Sequence, residues 1–220
     1  SQLGVTPSTA VADRIVLNGG KLQVTDDLTV NSKNGFTLGA NGGTLEVTTG
    51  KTLGIDGVIA GSGALNKTGA GAMVLSGANT YSGSTYIAAG SLSISQSGSL
   101  SSGSTLGVYA SAISNDGSLL LNTTVDQTLS GIISGSGLLD KSNSGALTLS
   151  NANTYQGGTR VRMGLLTLGS STVGNLTSGP VGTGALVVDT GAAVNLNGQS
   201  VGNALTLGGS GISNSGVIYN

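Results

Sequence analysis

Cysteine, histidine and tryptophan are all missing from the 220 residues, and the first two absences close off whole classes of function. Without cysteine there is no thiol nucleophile, no disulfide staple and no thiolate zinc site. Without histidine there is no Ser-His-Asp triad and no imidazole acid–base chemistry. A cysteine-free chain also suits a polypeptide that crosses a cell envelope unfolded, where a disulfide would obstruct the passage. Aromatic residues are scarce: Phe36, Tyr81, Tyr86, Tyr109, Tyr155 and Tyr219 are the full set. Charged residues make up 8% of the chain, against about 25% in an ordinary soluble domain. A net charge of −1 gives no footprint for nucleic acid, and Arg160 and Arg162 form the one close basic pair. No apolar run approaches the roughly 18 residues of a membrane-spanning helix, so no membrane insertion of this segment is expected. Nor does the chain open with a charged stretch followed by an apolar one. An export signal is therefore expected outside it.

What is present is glycine, 40 residues of it, together with 37% hydrophobic residues that are nearly all aliphatic and evenly spaced. Disordered chains combine low hydrophobicity with high net charge, and this one has neither, so it should fold. A short pattern recurs: glycine, any residue, aliphatic, any residue, aliphatic. It reads Gly20-Lys21-Leu22-Gln23-Val24, Gly43-Thr44-Leu45-Glu46-Val47, Gly71-Ala72-Met73-Val74-Leu75 and Gly90-Ser91-Leu92-Ser93-Ile94. It returns as Gly145-Ala146-Leu147-Thr148-Leu149, Gly164-Leu165-Leu166-Thr167-Leu168 and Gly184-Ala185-Leu186-Val187-Val188. Alternation of period two makes each a half-buried strand entered through a turn.

Directly successive copies begin one solenoid coil apart, roughly 19–28 residues. A β-sandwich, the second reading, would show strands every ~8–12 residues and an aromatic core. The expectation is an all-β, right-handed parallel β-helix of roughly ten coils, a single unit over residues 1–220. At about 4.8 Å per coil the column would run roughly 45–50 Å. Asn18-Gly19, Asn34-Gly35, Asn41-Gly42 and Asn197-Gly198 mark expected corners, because both residues tolerate positive φ.

A longer repeat overlies the short one. Residues 61–95, GSGALNKTGAGAMVLSGANTYSGSTYIAAGSLSIS, align without gaps to residues 135–169, GSGLLDKSNSGALTLSNANTYQGGTRVRMGLLTLG, at an offset of 74. The likeness extends upstream, so the two units are taken as 57–95 and 131–169. The shared signature in the first is Gly61, Gly63, Lys67, Gly71, Leu75, Asn79, Thr80, Tyr81, Gly83, Thr85 and Gly90. In the second it is Gly135, Gly137, Lys141, Gly145, Leu149, Asn153, Thr154, Tyr155, Gly157, Thr159 and Gly164.

These blocks resemble the passenger-associated transport repeat of bacterial autotransporters, the type V secretion family. Its pattern runs from an Ile-Gly-Ser-Gly entry through Leu-x-Lys, Gly-x-Leu-x-Leu-Ser and Ala-Asn-Thr-Tyr-x-Gly-x-Thr to Gly-x-Leu. Departures are Ala60 before Gly61-Ser62-Gly63, and Asn143-Ser144 where glycine-rich residues are usual. The resemblance implies a right-handed parallel β-helix at the surface of a Gram-negative bacterium or secreted from it. It implies export through the periplasm and then through an outer-membrane β-barrel translocator of the same polypeptide, which lies outside this segment. The implied role is a structural stalk supporting adhesion, autoaggregation or biofilm, with repeats that aid translocation and folding. Self-association and host or abiotic surfaces are the other partners in view. The alternatives are a scaffold whose enzymatic domain lies elsewhere in the passenger, and a carbohydrate-binding, tail-spike-like β-helix.

No catalytic, cofactor-binding or metal-ligating residues are assigned, and no enzymatic activity is expected. Asp26, Asp27 and Glu46 are the candidates for a carboxylate pair or cluster. Glycosidic catalysis needs two carboxyls about 5–9.5 Å apart across a bond, whereas adjacent residues on a strand face opposite ways, and solvated turn residues are the better reading of all three. The run Gly208-Gly209-Ser210-Gly211 has Ser213 where a calcium β-roll needs Asp. No Gly-Lys-Ser/Thr phosphate loop occurs. Asn-x-Thr at Asn66, Asn122 and Asn175 is expected by chance in so Asn- and Thr-rich a chain. Asn79-Thr80-Tyr81 and Asn153-Thr154-Tyr155 read as structural rather than ligand-contacting, with Asn bonding turn backbone and Tyr covering the coil edge.

Overall fold

The computed structural model describes residues 7–102 and 105–220. The strand ladders among the described residues are all parallel, and each strand pairs with strands about one coil away in sequence, which makes the chain a β-solenoid of about ten turns. Each coil has three sides. Coil one is β1 (Val11–Leu17), β2 (Lys21–Val24) and β3 (Leu28–Val30); coil two is β4 (Asn34–Leu38), β5 (Gly43–Val47) and β6 (Thr52–Ile55). Coil three is β7 (Ile59–Gly61), β8 (Leu65–Thr68) and β9 (Ala72–Leu75); coil four is β10 (Ala78–Asn79), β11 (Thr85–Ile87) and β12 (Ser91–Gln96). The first side of coil five is interrupted, as β13 (Ser99–Leu100) and β14 (Val108–Tyr109), and β15 (Ile113–Asn115) and β16 (Ser118–Thr123) follow. Next come β17 (Gln127–Leu129), β18 (Ile133–Ser134), β19 (Leu138–Lys141), β20 (Leu147–Leu149), β21 (Thr159–Val161) and β22 (Gly164–Leu168). The chain ends through β23 (Leu186–Val188), β24 (Ala192–Asn195), β25 (Leu205–Leu207), a 3-10 turn at Ile212–Asn214 and β26 (Ile218–Tyr219).

The third face is one continuous nine-stranded sheet from β3 to β25, and the second a six-stranded sheet from β2 to β18. The first face is laid down in three sections: β1-β4-β7, then β10-β13, then the six-stranded β14-β17-β20-β22-β24-β26. Parallel pairing forces the alternation seen in sequence to become stacking. Leu45, Leu65 and Ile87 share one side of the second face with Ile113 and Ile133, while Leu53, Met73, Leu92, Leu119 and Leu139 line the third. All of these side chains are buried, so the core is a narrow aliphatic lumen rather than a central cluster. Stability of such a column is the sum of neighbouring coil contacts.

Every copy of the short glycine motif forms a strand, namely β2, β5, β9, β12, β20, β22 and β23. Those strands are not on one face. The first two lie on the second face, β9, β12 and β23 on the third, and β20 and β22 on the first. The Asn-Gly corners are borne out at Gly19, Gly42 and Gly198, whose φ values are 80°, 69° and 76°. Only at Asn197-Gly198 are both residues left-handed. Asn34-Gly35 is a correction: it opens β4 rather than a corner. A side chain at residue 35 would put its Cβ 2.3 Å from the Ala12 carbonyl oxygen, so close approach of the backbone explains that glycine.

Candidate functional site

Each long repeat builds one tight coil and the bonds that tie it to its neighbours. Leu65 pairs with Thr85 and Ala72 with Ser91, and in the second copy Leu139 pairs with Thr159 and Leu147 with Leu166. Both copies therefore close their coil at the short end of the solenoid range. The coil after each repeat is longer, with Thr85 paired to Ile113 and Thr159 to Leu186.

Lysine is the first element of the tie. Lys67 and Lys141 are buried at the same place in the two repeats. The Lys67 ammonium donates to the carbonyl oxygens of Thr68, Gly69 and Ala89 at 2.9, 2.7 and 3.1 Å. Lys141 donates to those of Asn143 and Met163, both at 2.9 Å. Gly69 corresponds to Asn143 and Ala89 to Met163 in the alignment of the two copies, so each amine joins its own corner to the same corner of the next coil. Burial pushes both amines down to about 8, and Asp126 opposes the shift at Lys141.

Asparagine is the second. Asn79 Oδ1 accepts the Ile59 N–H at 3.0 Å from the coil before. Its Nδ2 donates to Gly77 O and, in the coil after, to Ser99 O. Asn153 accepts the Ile133 N–H at 2.8 Å and donates to Pro180 O at 2.7 Å. One amide side chain thus bridges three successive coils, and both are completely buried. The following threonines continue the bond by backbone: Thr80 and Thr154 donate to Ile59 O and Ile133 O.

The tyrosines differ from expectation. Tyr81 and Tyr155 do not cover a coil edge; they fill the lumen with no exposed surface. The reason is the buried hydroxyl partner four residues on: Tyr81 OH meets Thr85 Oγ1 at 2.7 Å, and Tyr155 OH meets Thr159 Oγ1. A phenol with its hydroxyl satisfied enters an apolar core at little cost. Tyr109 from the next coil stacks edge-on against Tyr81 at 5.6 Å between ring centroids and bonds Thr85 Oγ1 at 2.8 Å. Burial pushes the Tyr109 phenol up to about 12 and raises the Tyr81 and Tyr155 phenols as well. Leu75 and Leu149 line the same lumen.

The signature glycines occupy the corners. Gly61 and Gly135 have φ of 106° and 101°. Gly83 stacks on Gly63, and Gly157 on Gly137, so closely that an added Cβ would fall 2.2 and 2.5 Å from the lower carbonyl oxygen. Gly71 and Gly145 donate their N–H groups to the coil below, to Val47 O and Thr123 O, while Gly90 and Gly164 begin the next strand in left-handed geometry.

The two ties are therefore the same, yet they sit on different faces. The Lys67 strand β8 is on the second face and its counterpart β19 on the third; β9 is on the third and its counterpart β20 on the first. Three coils carry Leu65 to Ile133 on the second face, and one further corner brings Leu139 onto the third. The second copy is turned one face round the axis.

The three candidate carboxylates are each engaged by a different partner. Asp26 and Asp27 lie in the corner between β2 and β3, not on a strand. Asp26 is paired with Lys51 at 2.8 Å, and Asp27 Oδ1 accepts the Thr52 N–H. Glu46 is paired with Lys21 at 2.6 Å and accepts from Gln23. The lysine partners hold the Asp26 and Glu46 carboxyls below their usual range. Arg160 and Arg162 form ion pairs with Asp189 and Asp140. Among the described residues no three His, Cys, Asp or Glu side chains stand close enough to hold a metal, and no helix is long and apolar enough to cross a membrane.

Gln127 takes a role that no sequence motif announces. Where coil five is interrupted, its buried amide accepts the Leu100 N–H and donates to Leu100 O and Gly107 O, replacing the absent stretch of strand. A glutamine at the start of a short strand carries no signal for that role.

Residues 65–94 and 139–168 match the family described as the passenger-associated-transport-repeat. The adhesin BmaC autotransporter of Brucella suis biovar 1 (strain 1330) is 41% identical over 90 residues, which are 40% of this chain and 2% of that protein. No solved structure matches the chain.

Proposed function

Starting from a chain that is an autotransporter passenger segment with two transport repeats, surface-exposed or secreted by a Gram-negative bacterium, we propose that it is a non-enzymatic stalk. In this role it holds adhesive parts of a much larger protein away from the cell, and its repeats assist folding as the chain emerges. The observation that carries this reading is the tie itself. Lys67, Asn79 and Tyr81, and again Lys141, Asn153 and Tyr155, spend their polar groups within their own and adjoining coils. Each tie is complete only when the following coil is in place, since Ala89, Ser99 and Tyr109 all lie downstream of Lys67. A solenoid adds one coil to the last, so a bond that spans three coils opposes fraying at that point.

The test uses cells displaying a full-length passenger protein that carries this segment, with and without residues 1–220. Adhesion and aggregation are scored at matched surface density. Unchanged adhesion with a shortened reach is the expected result. Lost adhesion at equal density would place binding in this segment and overturn the stalk reading. Lost display would assign the repeats to export.

A further inference from the structure

Between the repeat ties and partly built from them, the third face carries an uncharged patch that the stalk role does not use. Strands β9, β12 and β16 lie side by side there, with Val74, Ser93 and Leu120 in register on the outside. Both ends of this patch are hollowed. At the strand ends a groove of about 620 Å³ is lined by Val74, Ser93, Ser95, Gln96, Asn122 and Asn143, among other residues. At the strand starts a second hollow of about 530 Å³ is lined mostly by small residues such as Gly71, Ala72, Gly90, Ser91 and Ser118. No charged side chain lines the first groove, and Lys51, already paired with Asp26, is the one beside the second.

Three features set the first groove apart from the rest of a Ser- and Thr-rich surface. Ser95, which lines it, is 8% exposed, and its hydroxyl has no hydrogen-bond partner. A buried hydroxyl left unpaired is costly, and a hydrogen-bonding group seated on it would relieve that cost. Gln96 and Asn143, on opposite sides, have φ of 56° and 73°, a backbone region where non-glycine residues are uncommon. The Gln96 geometry is locked because its carbonyl accepts from Thr123 Oγ1 and from both Thr124 N–H and Oγ1. Finally β12 and β16, at six residues each, are the longest strands of the third face and run past the end of β9, leaving the step that forms the groove.

Hydroxyls and primary amides around a small aliphatic floor, without charge, complement one chemistry well. Sugar rings offer hydroxyls to the amides and a C–H face to the apolar floor. A nucleic acid or an acidic glycan would find no cation to meet it, and an apolar peptide would find too little apolar surface. We propose that the third face of coils three to six is a binding site for a neutral linear oligosaccharide, laid along the strands with one unit seated over Ser95 between Gln96 and Asn143.

The 220-residue chain would be titrated with maltohexaose, cellohexaose and chitohexaose, using saturation-transfer NMR on the sugar and calorimetry for affinity. Sulfated dextran serves as the charged control. At least one neutral hexasaccharide should receive saturation and bind at millimolar strength or better. Ser93→Arg, which fills the groove from an outward position, should weaken that binding about tenfold or more. Ser114→Arg, outward on the second face, should leave it unchanged. Circular dichroism melts of both variants separate blocked binding from a disturbed coil. Absence of transfer to all three sugars, equal loss in both folded variants, or tighter binding of the sulfated polymer would each overturn the proposal. The stalk reading is judged on cells by adhesion and does not depend on this outcome.

Discussion

The two repeats share about half of their residues but do not share a face of the solenoid, and their surroundings differ accordingly. Around the first, coil five brings Tyr109 into the lumen, so that Tyr81, Thr85 and Tyr109 form one buried hydroxyl chain ending at Gly83 O. Around the second, no aromatic follows; Thr159 Oγ1 donates instead to Val181 O at 3.1 Å. The Asn79 amide closes on Ser99, whereas Asn153 closes on Pro180 beyond a longer excursion containing the Val173–Ser178 bridge. What persists is the lysine corner, the three-coil asparagine bridge and the Tyr–Thr pair. The repeat therefore encodes a coil and its two neighbours, and is indifferent to which of the three faces it starts on. A three-sided parallel column permits this because each side offers the same ladder of N–H and C=O groups above and below.

The comparison breaks most sharply at asparagine. Asn79→Ala strands the Ile59 N–H and takes the amide donor from Ser99 O and Gly77 O, the latter keeping the Ser99 N–H, and Asn153→Ala strands the Ile133 N–H and takes the donor from Pro180 O. Each should cost about 3 kcal/mol, read as a shift in the urea unfolding midpoint. Loss at one copy only would mean that the copies are not equivalent. Gly83→Ala and Gly157→Ala come next, at about 2–3 kcal/mol each, because the new Cβ meets backbone that cannot step aside. The difference between the copies should appear in the tyrosines. Tyr81→Phe breaks a three-membered hydroxyl chain and should cost about 1–2 kcal/mol, Tyr155→Phe about 1 kcal/mol.

A further difference concerns pH. The lysine amines titrate near 8 in the folded chain and at their ordinary value, near 10.5, in the unfolded one. Between those values the unfolded chain binds more protons, so stability rises with pH across the window. The melting temperature of the chain should therefore gain more between pH 8 and 10 than that of a Lys67→Met, Lys141→Met double variant. Equal slopes would show that the carbonyl oxygens hold the ammonium charged.

Much of the fold is legible in the residues, for reasons tied to particular positions. Alternating aliphatics such as Leu45-Glu46-Val47 announce a strand with one buried side, and their recurrence at coil length announces a column. Strands without the glycine motif are harder to find. β13 and β14 are two residues each, and Gln127 reaches from the next coil to bond Leu100 in β13 and Gly107 beside β14. Tyr81 and Tyr155 read as edge residues yet sit in the lumen, because a phenol's place depends on whether a buried hydroxyl waits for it. Asp26 and Asp27 read as solvated turn residues, and the chain does turn there, between β2 and β3.

Periodicity and composition are local properties, and three conclusions follow from them without any coordinates. The chain stacks short parallel coils, it lacks the side chains of thiol and imidazole catalysis, and one coil design occurs twice. Which face each repeat occupies, where Lys67 and Asn79 find their partners, and that Ser95 is left unpaired beneath a groove emerge only once the coils are stacked. These depend on the running sum of coil lengths, from the short step between Ala72 and Ser91 to the long one between Thr85 and Ile113.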